Sequence, residues 1–185
     1  MGKTVVLRNG TTAVLTCFIA LCVAVALGGC SGSGESNNGG SSDLSKVSTP
    51  AGGHEVEGEL VSAIIPSGWS LVTSSEMTGA SGEDFICKGD PYKAGDPYLQ
   101  VTSDGNDIEK LKQLLESRDP YGNYYGEAEL GNGTWYLAEK AAGVQLENGI
   151  CLRVLGYDVD FKSNDVRYIL GSLEYAYVSG YSAFN

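Results

Sequence analysis

The chain has 185 residues, with 12 Lys and Arg against 23 Asp and Glu, for a formal net charge of −11. An acidic surface argues against nucleic acid as a partner and against electrostatic docking on anionic lipid; its first reading is solubility, and the sharper alternative is a preference for cations or basic partners. A hydrophobic content of 42% is ordinary for a globular domain.

Lys3 and Arg8 form a positive start, and from Val14 to Leu27 the chain is apolar except for Thr16. That run is short of the ~20 apolar residues of a membrane-spanning helix. It has the length of the apolar region of a secretory signal. It closes on Leu27-Gly28-Gly29-Cys30, which resembles a bacterial lipobox. The resemblance implies cleavage after Gly29, with Cys30 thioether-linked to diacylglycerol as the first mature residue and membrane lipid as its partner. Two acyl chains give stable anchoring where one is marginal. The expected location is therefore the extracytoplasmic face of a bacterial cell membrane. Cleavage removes Lys3 and Arg8 and no acid, leaving 12 − 2 = 10 basic and 23 acidic side chains.

Residues 30–54 follow as a Gly, Ser and Asn-rich tether, a composition that cannot bury a core and is expected to be disordered. About 23 such residues span roughly 26 Å as a flexible coil and about 80 Å when stretched. His54, the sole histidine, sits at the tether's edge, where a solvated role is expected. Residues 55–185 are about 130 residues, enough for one core.

Within that domain, Val56–Ile65 has the pattern of a strand broken by Pro66-Ser67-Gly68, and Trp69, Leu71 and Val72 form a short extended piece. Asp84–Lys88 and Tyr98–Thr102 are the next two strands, with Phe85 and Cys87 on one face. Asn106 is placed to cap a helix, with Glu109 completing a capping box. Ile108, Leu111, Leu114 and Leu115 make its apolar stripe, and Pro120 stops it. Glu127–Leu130 and Thr134–Glu139 suit a hairpin about Gly131-Asn132-Gly133. Val144–Leu146 and Ile150–Tyr157 suit a second, joined by Asn148-Gly149 in a type I′ turn. In its last strand Ile150, Leu152 and Val154 point one way, and Cys151 and Arg153 the other. Asn164 is placed to cap a last helix with Val166, Ile169, Leu170 and Leu173 on its stripe. Short turns between strands imply an antiparallel sheet, and two amphipathic helices can cover its faces, giving an α+β sandwich.

Ile64-Ile65-Pro66-Ser67-Gly68-Trp69 resembles the opening of PsbP-like domains. The mid-chain helix, the hairpin bearing Trp135-Tyr136 and the closing segment Val166–Tyr175 are similar too, so the resemblance covers about Gly58 to Tyr175. It implies an α/β/α sandwich around a central antiparallel sheet with two main helices. It also implies a non-enzymatic accessory or binding role, in a family with many exported and some lipid-anchored members. Gly171 departs from a good helix former and leaves the length of the last helix open. No functional residue carries over, because no site motif is matched.

The domain offers little for catalysis. A Ser-His-acid or Cys-His set would need His54, and two cysteines without a domain histidine are too few for zinc. Gly131-Asn132-Gly133 lacks the Lys-Ser/Thr of a phosphate loop. Asp104-Gly105-Asn106-Asp107 lacks the spacing of a calcium loop and suits a helix cap. No catalytic, metal or cofactor residue is therefore assigned. Gly89-Asp90-Pro91-Tyr92 recurs as Gly95-Asp96-Pro97-Tyr98, and Asp119–Tyr125 is a third turn-rich, tyrosine-bearing segment. Tyr92, Tyr98, Tyr121, Tyr124 and Tyr125 thus form a candidate binding surface, since tyrosine is apolar on its face and polar at its tip. Cys87 and Cys151 are a candidate disulfide, being the thiols left to an exported chain once Cys30 is acylated. The expected function is a lipid-anchored, non-catalytic binding or accessory domain for a protein or small molecule. The alternatives are a carboxylate-dependent envelope hydrolase and a structural spacer.

Lipidation gives a direct test. Cys30→Ala is expected to leave an uncleaved precursor that takes up no labelled palmitate. Recovery from the native host of an acyl-free mature chain that starts elsewhere would refute it.

Overall fold

A computed structural model describes residues 44–78 and 82–176, all within one compact unit that spans Asn38–Asn185. Cys30 lies outside them. The elements, in order, are β1 (His54–Glu57), β2 (Val61–Ile65), β3 (Trp69–Thr73), α1 (Ser74–Met77), β4 (Glu83–Lys88), β5 (Tyr98–Ser103), α2 (Ile108–Glu116) and α3 (Arg118–Tyr121). They continue with β6 (Tyr124–Leu130), β7 (Gly133–Ala138), β8 (Ala141–Gln145), β9 (Cys151–Tyr157), α4 (Asn164–Ser172) and β10 (Glu174–Tyr175). The class is α+β, with a seven-stranded sheet ordered β3-β4-β5-β9-β8-β7-β6 and a three-stranded sheet ordered β1-β2-β10. Every pairing in both is antiparallel.

Alternation along β9 separates two cores. Leu152 and Val154 join Trp135, Leu137 and Val144 against Val61, Ala63 and Ile65 of β2 and Val166, Ile169 and Leu170 of α4. Cys151 and Leu155 join Ala138 and Ala141 under Leu111 and Leu115 of α2. So α2 covers one face of the large sheet, while α4 and the small sheet cover the other. Each large apolar side chain buried this way contributes about 1.5–3 kcal/mol. Two glycines permit close approach. A Cβ on Gly143 would stand 2.7 Å from Leu111 Cδ2, and one on Gly171 would stand 2.9 Å from the Gly131 backbone nitrogen. Gly171 therefore sits inside α4 because the helix rests against the β6–β7 turn at that point.

Several expectations are corrected. Val56–Ile65 is two strands, because the Glu59, Leu60 and Val61 amides turn inward onto the buried Asp84 carboxylate at 3.0, 2.7 and 2.9 Å. Gly58 must be glycine there, since a Cβ would overlap that carboxylate. The helix caps fall on neighbouring residues, Asp107 accepting from Lys110 N–H and Ser163 from Val166 N–H. Leu114 of the expected apolar stripe is 36% exposed. Pro120 lies in the separate turn α3, and α2 ends earlier, at Glu116. In the second hairpin Gly149 has φ +83° while Asn148 has no positive φ, and Leu146 O accepts from Gly149 N–H. That is a three-residue connection with glycine in the left-handed region instead of a type I′ turn.

Residues 44–54 of the expected tether belong to the folded domain, and the rest of that segment lies outside the described residues. From Leu44 the chain is packed on the domain, with Leu44 and Val47 partly buried against the main core. The apolar contacts of these two residues, with the hydrogen bonds described below, offset an entropy cost that the neighbouring Gly and Ser residues could not.

Because three amides, two of them buried, converge on one buried carboxylate, Asp84→Ala is expected to lower stability by about 3 kcal/mol or more. Glu83→Gln, the next position, is expected to change it by under about 1 kcal/mol. Urea denaturation of both variants checks this, and equal midpoints would contradict it.

Candidate functional site

A cleft of about 610 Å³ opens where the strap Leu44–Pro50 crosses the small sheet and α4. Ser45, Val47 and Thr49 supply one wall. Ser62, Ala63 and Ile64 of β2 supply the floor, and Arg167, Tyr168, Gly171 and Ser172 of α4 the opposite wall. Glu55 of β1, Glu129 of β6 and Glu174 of β10 stand at its rim, all exposed. A second cavity of about 580 Å³ shares Gly131 and Glu174 with the first and runs to Gln145 and Asn148. Asn132 holds the boundary between them. Its amide donates to Leu170 O at 2.8 Å and Leu173 O at 2.7 Å, and its oxygen accepts from Trp135 Nε1 at 2.7 Å.

The local sequence explains this geometry. Val61, Ala63 and Ile65 of β2 are turned into the core, so Ser62 and Ile64 face outward into the cleft. Ser172 ends α4 by accepting from Ile64 N–H at 2.9 Å and donating to Ile169 O at 2.8 Å, which joins the helix to the strand. The strap is held by two side chains of α4 and by a backbone amide of β6. Glu129 N–H donates to Ser45 Oγ at 2.8 Å, and Arg167 Nη1 donates to Leu44 O. Asn164 accepts from Ser48 N–H at 2.8 Å and donates to Ser48 O at 2.7 Å. The cleft thus gathers carboxylates from three strands, hydroxyls from the strap and β2, and an apolar strip from Val47, Ile64 and Leu130. Such a mixture suits a ligand with a charged head and an apolar stem.

The expected tyrosine surface is dispersed over three places. Tyr98 stacks on Tyr157 at 5.2 Å and meets Phe85 edge-on at 5.7 Å, a ladder across β4, β5 and β9 that ends in Tyr157, 55% exposed. Tyr92 is half-buried near Tyr98, whose hydroxyl pKa is raised, first by burial and then by Tyr92. Tyr121 and Tyr124 belong to the α2 core, where Tyr121 Oη accepts from Arg153 Nη1 at 3.3 Å. Burial pushes the Tyr124 hydroxyl up to about 12, and its buried Oη has no hydrogen-bond partner among the described residues. Tyr125 packs on the other core, with Lys162 Nζ 3.8 Å over its ring. Alternation puts Tyr124 and Tyr125 on opposite faces of one strand, so these five tyrosines do not form one groove.

Cys87 and Cys151 are both buried and free. Cys87 pairs with Tyr98, and Tyr98 with Tyr157, so β5 lies between the two cysteine strands. Cys151 is also 157 − 151 = 6 residues from that row. Six residues are about 20 Å along a strand, far beyond the ~7 Å that a disulfide allows between Cα atoms. The expected bridge is therefore not made. Burial, with Asp96 adding to it, raises the Cys87 thiol to about 11, and burial with Asp104 and Asp107 raises Cys151.

Among the described residues, no group of three or more His, Cys, Asp or Glu is placed to hold a metal ion. No family model, curated protein or solved structure matches this chain.

A thiol two units above its ordinary value has about 100-fold less thiolate at neutral pH. The folded mature-length chain, residues 30–185 with Cys30→Ser, is therefore expected to resist alkylation at pH 8, Cys87 most strongly, and both remaining thiols should label in guanidinium. A Cys87–Cys151 linked peptide in the non-reduced digest would contradict the arrangement.

Proposed function

We propose that this chain is a lipid-anchored, extracytoplasmic accessory domain of the bacterial envelope that binds a ligand and does not turn one over, and that the ligand is a small organic cation. The cleft under the strap carries this reading. Its volume lies within the range of about 300–1,000 Å³ typical of small-ligand sites. Three glutamates ring it, and its one arginine already donates to the backbone of Leu44 and Ser163. The net charge of −11 draws cations toward the whole surface, and the cleft adds hydroxyl acceptors and an apolar strip for an alkyl stem.

The Leu27–Cys30 pattern supports the anchor. The finer fold reading, a PsbP-like α/β/α sandwich, is proposed on two observations. Ile64–Trp69 forms the end of β2, a turn and the start of β3, and α2 and α4 pack on opposite faces of the large sheet.

The test is calorimetric titration of the mature-length chain, residues 30–185 with Cys30→Ser, with putrescine and spermidine, and with 1,4-butanediol as the uncharged counterpart. The amines are expected to bind and the diol not. Glu129→Gln and Glu174→Gln should each weaken binding about fivefold, equivalent to ~1 kcal/mol for a partly exposed charge pair. Glu109→Gln, on α2 and remote from the cleft, should leave it unchanged. Equal loss for all three variants would reduce the effect to net charge. Turnover of an ester or glycoside abolished by one glutamate substitution would replace this reading with the envelope hydrolase.

A further inference from the structure

The strap that walls the cleft is continuous with the segment leading back to Cys30. It ends at Ala51-Gly52-Gly53, where Gly52 has φ +70°, a conformation that glycine adopts without strain. Its polar attachments include those to Glu129, Asn164 and Arg167, made at the surface or part-buried, where each bond competes with water. Its apolar anchors are two half-buried side chains, Leu44 and Val47. A segment held this way opens more readily than the strands beneath it. Arg167 and Glu129 both hold the strap and line the cleft, and Ser45, Val47 and Thr49 are themselves part of the lining.

We propose that Leu44–Pro50 is a hinged wall, turning at Gly52-Gly53, which controls access to the cleft and is held down by what binds there. A ligand that touches Ser45, Val47 or Thr49 binds the docked strap better than the free one. By linkage, docking must then raise ligand affinity by the same factor. The coupling reaches the tether. With the strap docked, 44 − 30 = 14 residue steps join Cys30 to the domain, at most about 50 Å. With it released to Gly53 there are 53 − 30 = 23, at most about 80 Å. Occupancy of the cleft would therefore draw the domain toward its anchor. The coupling to a ligand and this last consequence rest on the anchored-binder reading; the hinged wall itself does not.

The test uses the full mature-length chain with Cys30→Ser and a reporter thiol, Ser62→Cys, on the cleft floor. The buried Cys87 and Cys151 give little background. Asn164→Ala and Leu44→Ser together free the strap without touching the lining or Ser163, the cap of α4. Alkylation of the reporter by N-ethylmaleimide should be at least tenfold faster in the freed chain. Hydrogen exchange should rise in the strap and stay unchanged in β2 and β9, which shows that the fold is intact. In the chain with its natural strap, amides of residues 44–49 should exchange well before those of β2, and spermidine should slow both their exchange and the alkylation. Equal alkylation rates with the strap demonstrably freed would overturn the proposal. So would strap amides that exchange only together with β2 in the unsubstituted chain, a readout that needs no variant. Spermidine that binds without slowing either process would remove the coupling. Failure of spermidine to bind at all would count against the cationic ligand alone, and the comparison of freed with natural strap would still decide the hinge.

Discussion

One buried carboxylate organises the relation between the two sheets. Asp84 projects from the inner face of β4 into a region from which water is excluded, a costly place for a charge without partners. Three consecutive amides of the β1–β2 turn meet it at hydrogen-bond distance, and charge-assisted bonds of this kind are stronger than neutral ones. The turn pays with its own conformational freedom, and Gly58 lets the backbone come that close. Val61, Ala63 and Ile65 are thereby aimed into the main core, and Ser62 and Ile64 outward. Because side chains alternate along a strand, a one-residue slip of β2 would exchange the core face for the cleft floor. Asp84 thus sets both the packing and the site, although it touches no part of the cleft.

The same logic governs the helices. Close packing of α2 depends on the missing side chain of Gly143, and that of α4 on the paired absence at Gly131 and Gly171. A helix interior disfavours glycine by about 1 kcal/mol relative to alanine. At Gly171 the cost is offset by the approach it allows, which brings α4 beside Leu130 and closes the wall shared by the two cavities. Asn132 then satisfies the carbonyls left at the end of α4, so one hairpin turn serves as cap and partition together.

Much of the fold was legible because local pattern and final environment agree. The runs at Trp69–Val72, Asp84–Lys88, Tyr98–Thr102 and Ile150–Tyr157 became strands within a residue or so of their expected limits. The side assignments of Leu152, Val154 and Cys151 match the two cores. Where reading failed, a distant partner had overridden the local signal. Val56–Ile65 looked continuous until Asp84, some twenty residues on, captured its middle amides. The tether looked featureless until Leu44, Val47 and Ser48 met α4, more than a hundred residues later in the chain. The tyrosines clustered in sequence, yet strand alternation and the sheet order scattered them.

The sequence by itself determined the α+β class, the antiparallel pairing of short-turn strands, the two amphipathic helices and the acidic balance. These follow from periodicity, turn chemistry and composition, each a property of neighbouring residues. Tertiary structure alone decided the cleft. Its three glutamates come from β1, β6 and β10, its arginine from α4 and its outer wall from a segment with the composition of a linker. No local spacing relates those residues, because the contacts that join them close loops as long as about 120 residues. It also decided that Cys87 and Cys151 stay apart, since strand order and register are set by which apolar faces must meet, and neither cysteine chooses that.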